Sequence, residues 1–149
     1  MNFTIEVMTE EDLPAVMEIE RDSFPHPWSS YAFKRDINNN PYSLYLMAVG
    51  DNGIIGYIGC WFMERGMHIT NLAVARDFRQ QGVATTLIRE IEQLALLTSA
   101  SSLSLEVRRS NYKAINLYQK LGFHIDDYFP GYYHDNNEDA LIMRKELTE

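Results

Sequence analysis

The chain has 149 residues, of which 46% are hydrophobic and 23% charged, a balance typical of one folded domain and not of a disordered chain. Thirteen basic and twenty-one acidic residues give a net charge of −8, which disfavours general nucleic-acid binding and suits either a basic partner or simple solubility. There is no signal-peptide pattern and no apolar stretch of ~18 residues, while the single cysteine, Cys60, excludes an internal disulfide and fits a cytoplasmic location.

The first third of the chain predicts a strand followed by two helices. Residues 3–8 (FTIEVM) alternate apolar and polar side chains, as in a strand with one buried face. Thr9 precedes an acidic first turn and apolar residues at helical spacing, which predicts a helix capped by Thr9. Residues 24–30 (FPHPWSS) predict a proline-broken loop, and Ser29 or Ser30 can cap a second helix that ends before NNNP.

The middle of the chain predicts a hairpin and then a strand–helix–strand unit. Residues 44–63 contain two apolar runs around Asp-Asn-Gly, which is a strong hairpin signal. Residues 68–75 predict a strand, 83–97 a helix with one apolar face, and 102–107 (SLSLEV) a strand with period two. We expect the two strands that flank this helix to be parallel.

The C-terminal part predicts a short helix and two closing strands. The helix begins at Ser110 or Asn111 and ends at Gly122. Residues 123–129 and 138–147 predict strands around a polar, tyrosine-bearing loop. The complete order, β-α-α-β-β-β-α-β-α-β-β, predicts an α/β (α+β) fold with a mixed, mostly antiparallel sheet flanked by helices.

The segment RQQGVA, residues 79–84, combines the features of an anion site. It has no acidic residue, although it directly precedes a helix whose first N–H groups are unpaired and whose end is partly positive. Gly82 allows a turn and close approach of a ligand, so the segment predicts a bound phosphate or pyrophosphate. A plain loop-to-helix junction is the alternative. Five arginines could add positive charge: Arg76, Arg79, Arg89, Arg108 and Arg109.

The motifs around this segment carry a resemblance to a known family. NLAV precedes it, and an N-x-x-A-x-x-x-Y-x-x-x-G-F pattern follows the helix. The second pattern is formed by Asn111, Ala114, Tyr118, Gly122 and Phe123. In this arrangement nearly the whole chain resembles the GCN5-related N-acetyltransferase (GNAT) superfamily. The motifs FPHPWS, LEVRxSN and YYx(4)EDALIM further resemble the ribosomal-protein-alanine N-acetyltransferase (RimI-like) family.

This resemblance implies a single acetyltransferase domain over residues 1–149, with a GNAT fold and acetyl-CoA as co-substrate. The family's chemistry is direct attack of a neutral amine on the thioester. Val74 would polarise the thioester carbonyl through its backbone N–H. For Asn111 a helix N-cap is the alternative, and both roles can hold. The residues that would bind the cofactor are Leu72, Ala73, Val74, Arg79, Gln80, Gln81, Gly82, Val83, Ala84, Thr85 and Asn111.

The resemblance places Glu106 as general base and Tyr118 as general acid. A free glutamate has a pKa of about 4.3, so burial or a water relay would help it as a base, and an α-amine at about 7.7–8.0 suits it better than lysine at about 10.4. A tyrosine pKa of about 10 is close enough to a thiol's 8.5 for proton donation to the leaving sulfur. The alternatives are a strand carboxylate paired with Arg108 and a helix tyrosine packed beside Ile115 and Leu121.

Substrate contacts are also implied by the resemblance. Tyr132 and Tyr133, in the polar loop, would flank a peptide backbone, or would otherwise cover the sheet edge. Phe24 lies with Trp28 in the loop between the first two helices, which would form the other wall of a peptide cleft; core packing is the alternative, preferred for Trp28. Three acidic residues could face a basic peptide or simply be solvated: Asp135, Glu138 and Asp139.

The expected function is therefore acetylation of the N-terminal alanine amine of a small-subunit ribosomal protein. The expected partner is a basic protein N-terminus, without direct binding of nucleic acid or membrane. The alternatives are an acetyltransferase for a small amine such as a polyamine or for other protein N-termini, a non-catalytic acyl-CoA-binding module, and a docking domain without cofactor. The four histidines are scattered and no Cys/His cluster has zinc spacing, so we expect no metal, with Cys60 as a buried structural thiol.

Overall fold

The computed structural model describes residues 2–147, and the predicted order of elements is confirmed. The strands of this described part are β1 Thr4–Val7, β2 Ser43–Gly50, β3 Gly53–Phe62, β4 Gly66–Val74, β5 Ser102–Arg108, β6 His124–Tyr133 and β7 Glu138–Glu146. The α-helices are α1 Leu13–Ser23, α2 Ser30–Asn39, α3 Val83–Leu97 and α4 Tyr112–Lys120. Within residues 2–147, none of the helices is long and apolar enough to cross a membrane.

The strands form one mixed sheet in the order β1-β2-β3-β4-β5-β7-β6. The pairs β1–β2, β2–β3, β5–β7 and β6–β7 are antiparallel. Strands β4 and β5 are parallel, with residues 66–69 opposite residues 102–105. A mostly antiparallel sheet with one parallel strand–helix–strand unit is therefore confirmed.

The chain groups into two compact units, and β4 and α3 each contribute residues to both. The first unit contains the residues up to Phe62 together with Thr70–Glu92. The second unit contains Met63–Ile69 together with the residues from Gln93 onward. The anion-binding segment thus belongs to the first unit, and Glu106 and Tyr118 belong to the second.

The first unit is built on aromatic side chains between its helices and strands. Phe33 of α2 is fully buried, and its ring centroid lies 5.9 Å from that of Tyr45 and 6.0 Å from that of Tyr57, both edge to face. Ser29 begins α2 as predicted, because its hydroxyl accepts a hydrogen bond from the backbone N–H of Ala32 at 3.0 Å. Cys60 is a fully buried thiol, as expected, and burial raises its pKa to about 12.

A buried carboxylate ties the end of α1 to its surroundings. Glu20 follows Val16 on the apolar face of α1 and is only 2% exposed. It accepts hydrogen bonds from the Tyr57 hydroxyl and from the backbone N–H of Trp28, the latter at 2.9 Å. Because a buried charge without partners is very unfavourable, these two donors are what make this position tolerable for glutamate. Glu20 therefore holds the loop before α2 against β3.

We expect Glu20→Ala to lower the free energy of unfolding by about 2–5 kcal/mol, because two buried donors lose their acceptor. Glu20→Gln keeps one acceptor oxygen and should lose less. Urea denaturation followed by circular dichroism measures both changes. The matched control is Glu18→Ala, at an exposed position of the same helix, which should change stability by no more than about 0.5 kcal/mol. Equal effects at the two positions would contradict a structural role for the buried carboxylate.

Candidate active site

The predicted anion-binding segment has the backbone geometry of an anion site. Gln80 and Gly82 both adopt left-handed conformations, with φ of +62° and +86°. Such residues turn neighbouring N–H groups toward one side, as in anion-binding nests. Helix α3 begins at Val83, and Thr86 N–H donates to Gly82 O at 3.0 Å, so the N–H groups of residues 83–85 have no acceptor within the helix. The segment thus offers several backbone donors at the positive end of a helix.

The arginines expected beside this segment are engaged by other groups of the first unit. Arg79 donates from Nε to Val74 O at 2.9 Å and from Nη2 to Ser23 Oγ at 3.2 Å. Arg76 forms an ion pair with Asp22 at 3.0 Å. Arg79 therefore braces the end of β4 and the end of α1. Arg76 is therefore paired with an acid, and the contribution of the five arginines to the positive charge of the segment stays a prediction.

The last three residues of β4 lie where the resemblance places them, directly before the anion-binding segment. Ala73 is buried, and Leu72 and Val74 are half-buried. A Cβ added at Gly56 of β3 would lie 3.1 Å from Ala73 O and 3.2 Å from Val83 Cγ1. Glycine at this position therefore lets β3 run close to β4 and to the start of α3.

Glu106 is the centre of a hydrogen-bonded chain in the second unit. Its Oε1 lies 3.4 Å from His68 Nε2, and His68 Nδ1 lies 2.7 Å from Ser104 Oγ. The Tyr132 hydroxyl also interacts with the same carboxylate and lowers its pKa. The alternative in which Glu106 pairs with Arg108 is therefore wrong: the partners are an imidazole and a phenol.

His68 was not among the residues that the sequence selected. It lies opposite Ser104 in the parallel register of β4 and β5, and Glu106 lies two residues further along the same face of β5. The His68 imidazole therefore lies beside the expected base, with one ring nitrogen toward Glu106 and the other toward Ser104. The sequence signal that could have found His68 is the period-two alternation of side chains along β4 and β5. It places His68 on the same face as Glu106 once the two strands are paired.

The environment of Glu106 also corrects the expectation that burial would strengthen it as a base. The hydrogen bond from His68 is the largest influence and lowers the pKa of Glu106, with Tyr132 acting in the same direction. Burial opposes this shift but does not reverse it. The carboxylate stays ionised at lower pH than a free glutamate and is a correspondingly weaker base on its own.

Tyr118, the expected acid, lies on α4. Asn111 is the N-cap of this helix, which was one of the two roles predicted for it: its Oδ1 accepts a hydrogen bond from Ala114 N–H at 3.3 Å. The Tyr118 ring lies 6.0 Å from that of Phe123. Burial raises the pKa of Tyr118 to about 12, and Tyr133 adds to the rise. The pKa near 10 assumed from free tyrosine is thus corrected: Tyr118 is a firmly protonated hydrogen-bond donor.

Tyr132 and Tyr133 lie at the end of β6, and not in the loop where the sequence placed them. Tyr133 pairs with Glu138 of β7, so the connection is only residues 134–137. The strand continues through an irregularity in register, where Gly131 adopts φ of +61°. The two rings meet edge to face at 5.2 Å, and the Arg108 guanidinium lies 4.0 Å from the Tyr133 ring centroid.

The acidic residues near these tyrosines are paired with arginines. The ion pairs are Arg108–Asp135 at 3.0 Å, Arg108–Glu138 at 3.5 Å and Arg109–Asp139 at 3.2 Å. Glu138 also accepts the backbone N–H of Ser110 at 2.6 Å. The contacts with Ser110, aided by Asn136 and Arg108, lower the pKa of Glu138 to about 2. These acids therefore balance Arg108 and Arg109, and the alternative of plainly solvated loop charges is wrong for them.

The aromatic residues of the loop before α2 pack on the first unit. Phe24 and Trp28 are half-buried against its core, and the Trp28 ring lies 5.3 Å from Phe33. The core role preferred for Trp28 is confirmed. Phe24 shares that packing, so its contact with a substrate stays a prediction. Among residues 2–147, no group of three or more His, Cys, Asp or Glu side chains is placed to hold a metal ion.

The comparisons with known proteins show that the fold is that of an acyltransferase. The chain belongs to the acetyltransferase (GNAT) family, whose family model matches residues 13–123. The family resemblance drawn from the motifs is thereby confirmed, and so is the enzyme class.

The chain is similar to particular members of this family. It is 40% identical to a putative [ribosomal protein bS18]-alanine N-acetyltransferase of Bacillus subtilis, over 93% of this chain and 92% of that protein. It is 32% identical, over 98% and 94% of the two chains, to an N-alpha-acetyltransferase of Saccharolobus solfataricus. The crystal structure of the ribosomal-protein-S18-alanine N-acetyltransferase from Escherichia coli matches with a TM-score of 0.89 and 29% identity, over 99% and 96% of the chains.

We expect His68→Ala to move the pKa of Glu106 upward toward that of a free glutamate, because the largest lowering influence is removed. NMR titration of the carboxyl carbon measures this. A lowered pKa contributes stability above the unfolded-state pKa that is lost as pH falls through the folded-state pKa, so the variant should lose less stability across that acidic window. The control is His124→Ala, an exposed histidine 3.9 Å from Asp126. An unchanged titration of Glu106 in His68→Ala would contradict the pairing.

Proposed function

We propose that the enzyme transfers the acetyl group of acetyl-CoA to the α-amine of a protein N-terminus. The observation that carries this proposal is the contact between Glu106 Oε1 and His68 Nε2 at 3.4 Å, which lowers the pKa of the carboxylate. A weak base suits an amine that is already partly neutral near pH 7. An α-amine, with a pKa of about 7.7–8.0, meets that condition, whereas a lysine at about 10.4 does not. Family membership and the N-alpha-acetyltransferase among the relatives support the same choice.

The residues of the second unit would handle the protons. The amine nitrogen forms a bond to the acetyl carbon as the carbon–sulfur bond breaks. The proton lost by the nitrogen passes to the Glu106–His68 pair, and Ser104 fixes the imidazole through its other nitrogen. Tyr118 donates to the departing sulfur. Its pKa of about 12 means that it stabilises the developing thiolate by a hydrogen bond before it gives up a proton.

The residues of the first unit would bind the cofactor. The backbone N–H groups from Gln80 to Thr85 suit the pyrophosphate of acetyl-CoA, because left-handed Gln80 and Gly82 shape the turn. Arg79 supports this turn through its hydrogen bonds to Val74 and Ser23. By resemblance to the family, the Val74 N–H donates to the thioester carbonyl. Asn111, which belongs to the second unit and caps α4, contacts the cofactor by the same resemblance.

The first candidate substrate is the N-terminal alanine of a small-subunit ribosomal protein, in the cytoplasm. The similarity to two proteins named for that reaction supports this choice, and the net charge of −8 suits a basic protein N-terminus. The region beside Tyr133 is less well suited to a polyamine, because the acidic residues there, Asp135, Glu138 and Asp139, already pair with Arg108 and Arg109.

A mass-spectrometric transfer assay tests the proposal. The protein and acetyl-CoA are incubated with a basic peptide that begins with alanine, with a copy whose N-terminus is blocked but whose lysine is free, and with spermidine. We expect acetyl on the α-amine alone. Transfer to spermidine or lysine instead would overturn the N-terminal proposal within the same enzyme class, and no transfer to any of the three would favour an acyl-CoA-binding module.

We expect Tyr118→Phe to lower kcat by about 10²-fold while the Kd for CoA changes by less than about twofold, because only the hydroxyl at the leaving group is lost. Fixed-time activity assays measure kcat, and isothermal titration calorimetry measures the Kd for CoA. Tyr112→Phe is the matched control, since Tyr112 is an exposed tyrosine on the same helix. Normal turnover in Tyr118→Phe would remove the acid assignment.

A further inference from the structure

The free edge of the sheet carries exposed aromatic residues on the same face as Glu106. Arg108 of β5 is opposite Ala140 of β7, and Ala140 is opposite Phe129 of β6. Directly opposed residues in a sheet point to the same side, and so do residues two apart in one strand. Phe129 therefore shares a face with Glu106, although two strands separate their backbones.

Ring contacts connect Phe129 to the candidate base. The Phe129 ring is stacked with Tyr132 at a centroid distance of 6.1 Å and an interplanar angle of 29°. The hydroxyl of Tyr132 in turn interacts with the carboxylate of Glu106. Both rings are well exposed, at 47% for Phe129 and 45% for Tyr132. A stacked pair of exposed rings that begins at the base is thus a surface on which an extended chain can lie.

The charged groups around this pair are largely paired with one another. Arg108 pairs with both Asp135 and Glu138, and Arg109 pairs with Asp139. Phe129 has no polar atom on its side chain, so covering its ring with another apolar group removes apolar surface from water. The recognition that this surface offers is apolar and not electrostatic.

The separation from the base identifies the substrate residue. Crossing two strands takes about 10 Å, and two residues along a strand take about 7 Å, so Phe129 is on the order of 12 Å from Glu106. An extended peptide advances about 3.4 Å per residue. A chain whose α-amine is at Glu106 therefore brings its fourth residue over Phe129, since three steps of this length, added to the N–Cα bond of the first residue, reach about 12 Å.

We propose that Phe129 is a specificity-determining residue that selects an apolar side chain at the fourth position of the acetylated N-terminus. This inference rests on the proposed function, because it takes the α-amine at Glu106 as its origin. Tyr132 aligns the peptide beside the base, and Phe129 covers the apolar side chain three residues beyond the first. Substrate choice beyond the first residue is then made by an apolar contact on β6.

Competition between peptides tests the inference. Three basic peptides that begin Ala-Gly-Gly and carry leucine, serine or lysine at position four are acetylated by the full chain, and kcat/KM is measured by mass spectrometry of the α-amine. We expect the leucine peptide to be preferred by about fivefold, and Phe129→Ala to reduce the preference to less than about twofold. Phe129→Leu should retain part of it. Ile125→Ala is the control, because Ile125 is equally exposed on β6, at 49%, but is opposite Met143 on the other face.

The outcomes separate this inference from the proposed function. Transfer to the α-amines with equal efficiency, or a preference that persists in Phe129→Ala, overturns the role of Phe129 and leaves the proposed function standing. A preference lost equally in Ile125→Ala also overturns it. No α-amine transfer to any of the peptides overturns the proposed function and this inference together. Melting temperatures of the variants show that each one is folded.

Discussion

The alternation of side chains along β5 is the constraint on which the candidate chemistry depends. Leu103, Leu105 and Val107 are buried on one face of this strand, so Ser104 and Glu106 must point to the other. The parallel register with β4 then brings His68 to Ser104, and the antiparallel register with β7 continues the same face toward β6. A slip of one residue would bury the carboxylate and expose the core. Packing of apolar side chains therefore fixes the geometry of the proton-handling groups.

Most of the fold could be predicted from the sequence, because its signals are local. The Asp-Asn-Gly turn, the Ser29 cap and the period-two pattern of β5 each act within a few residues, and every element they indicated is present. The anion-binding turn was found in the same way, since a glycine before an apolar helix is a local pattern. The end of β6 was misplaced because an irregular register lets the strand continue past Pro130, and that depends on its partner strand.

The partners of the charged side chains could not be predicted, because they are chosen across strands. His68 and Glu106 are far apart in the chain and meet only through the β4–β5 register. The sequence suggested Glu106, two residues away, as the partner of Arg108, but Arg108 pairs with Asp135 in the β6–β7 connection. The pKa directions follow from these choices: the imidazole lowers that of Glu106, and burial raises that of Tyr118. Residue identities located the site, but three-dimensional contacts set its acid–base character.

The left-handed conformation of Gln80 has a thermodynamic consequence for ligand capture. A residue other than glycine in this region of backbone space lowers the stability of the folded state by roughly 1–2 kcal/mol, so other contacts must hold the turn in place. Arg79, fastened to Val74 and Ser23, is one of the contacts that sustains it. A loop already held in its binding shape loses little conformational entropy when an anion arrives. The shape of this turn is thus set by folding, so an anion bound there as proposed would meet a loop that is already ordered.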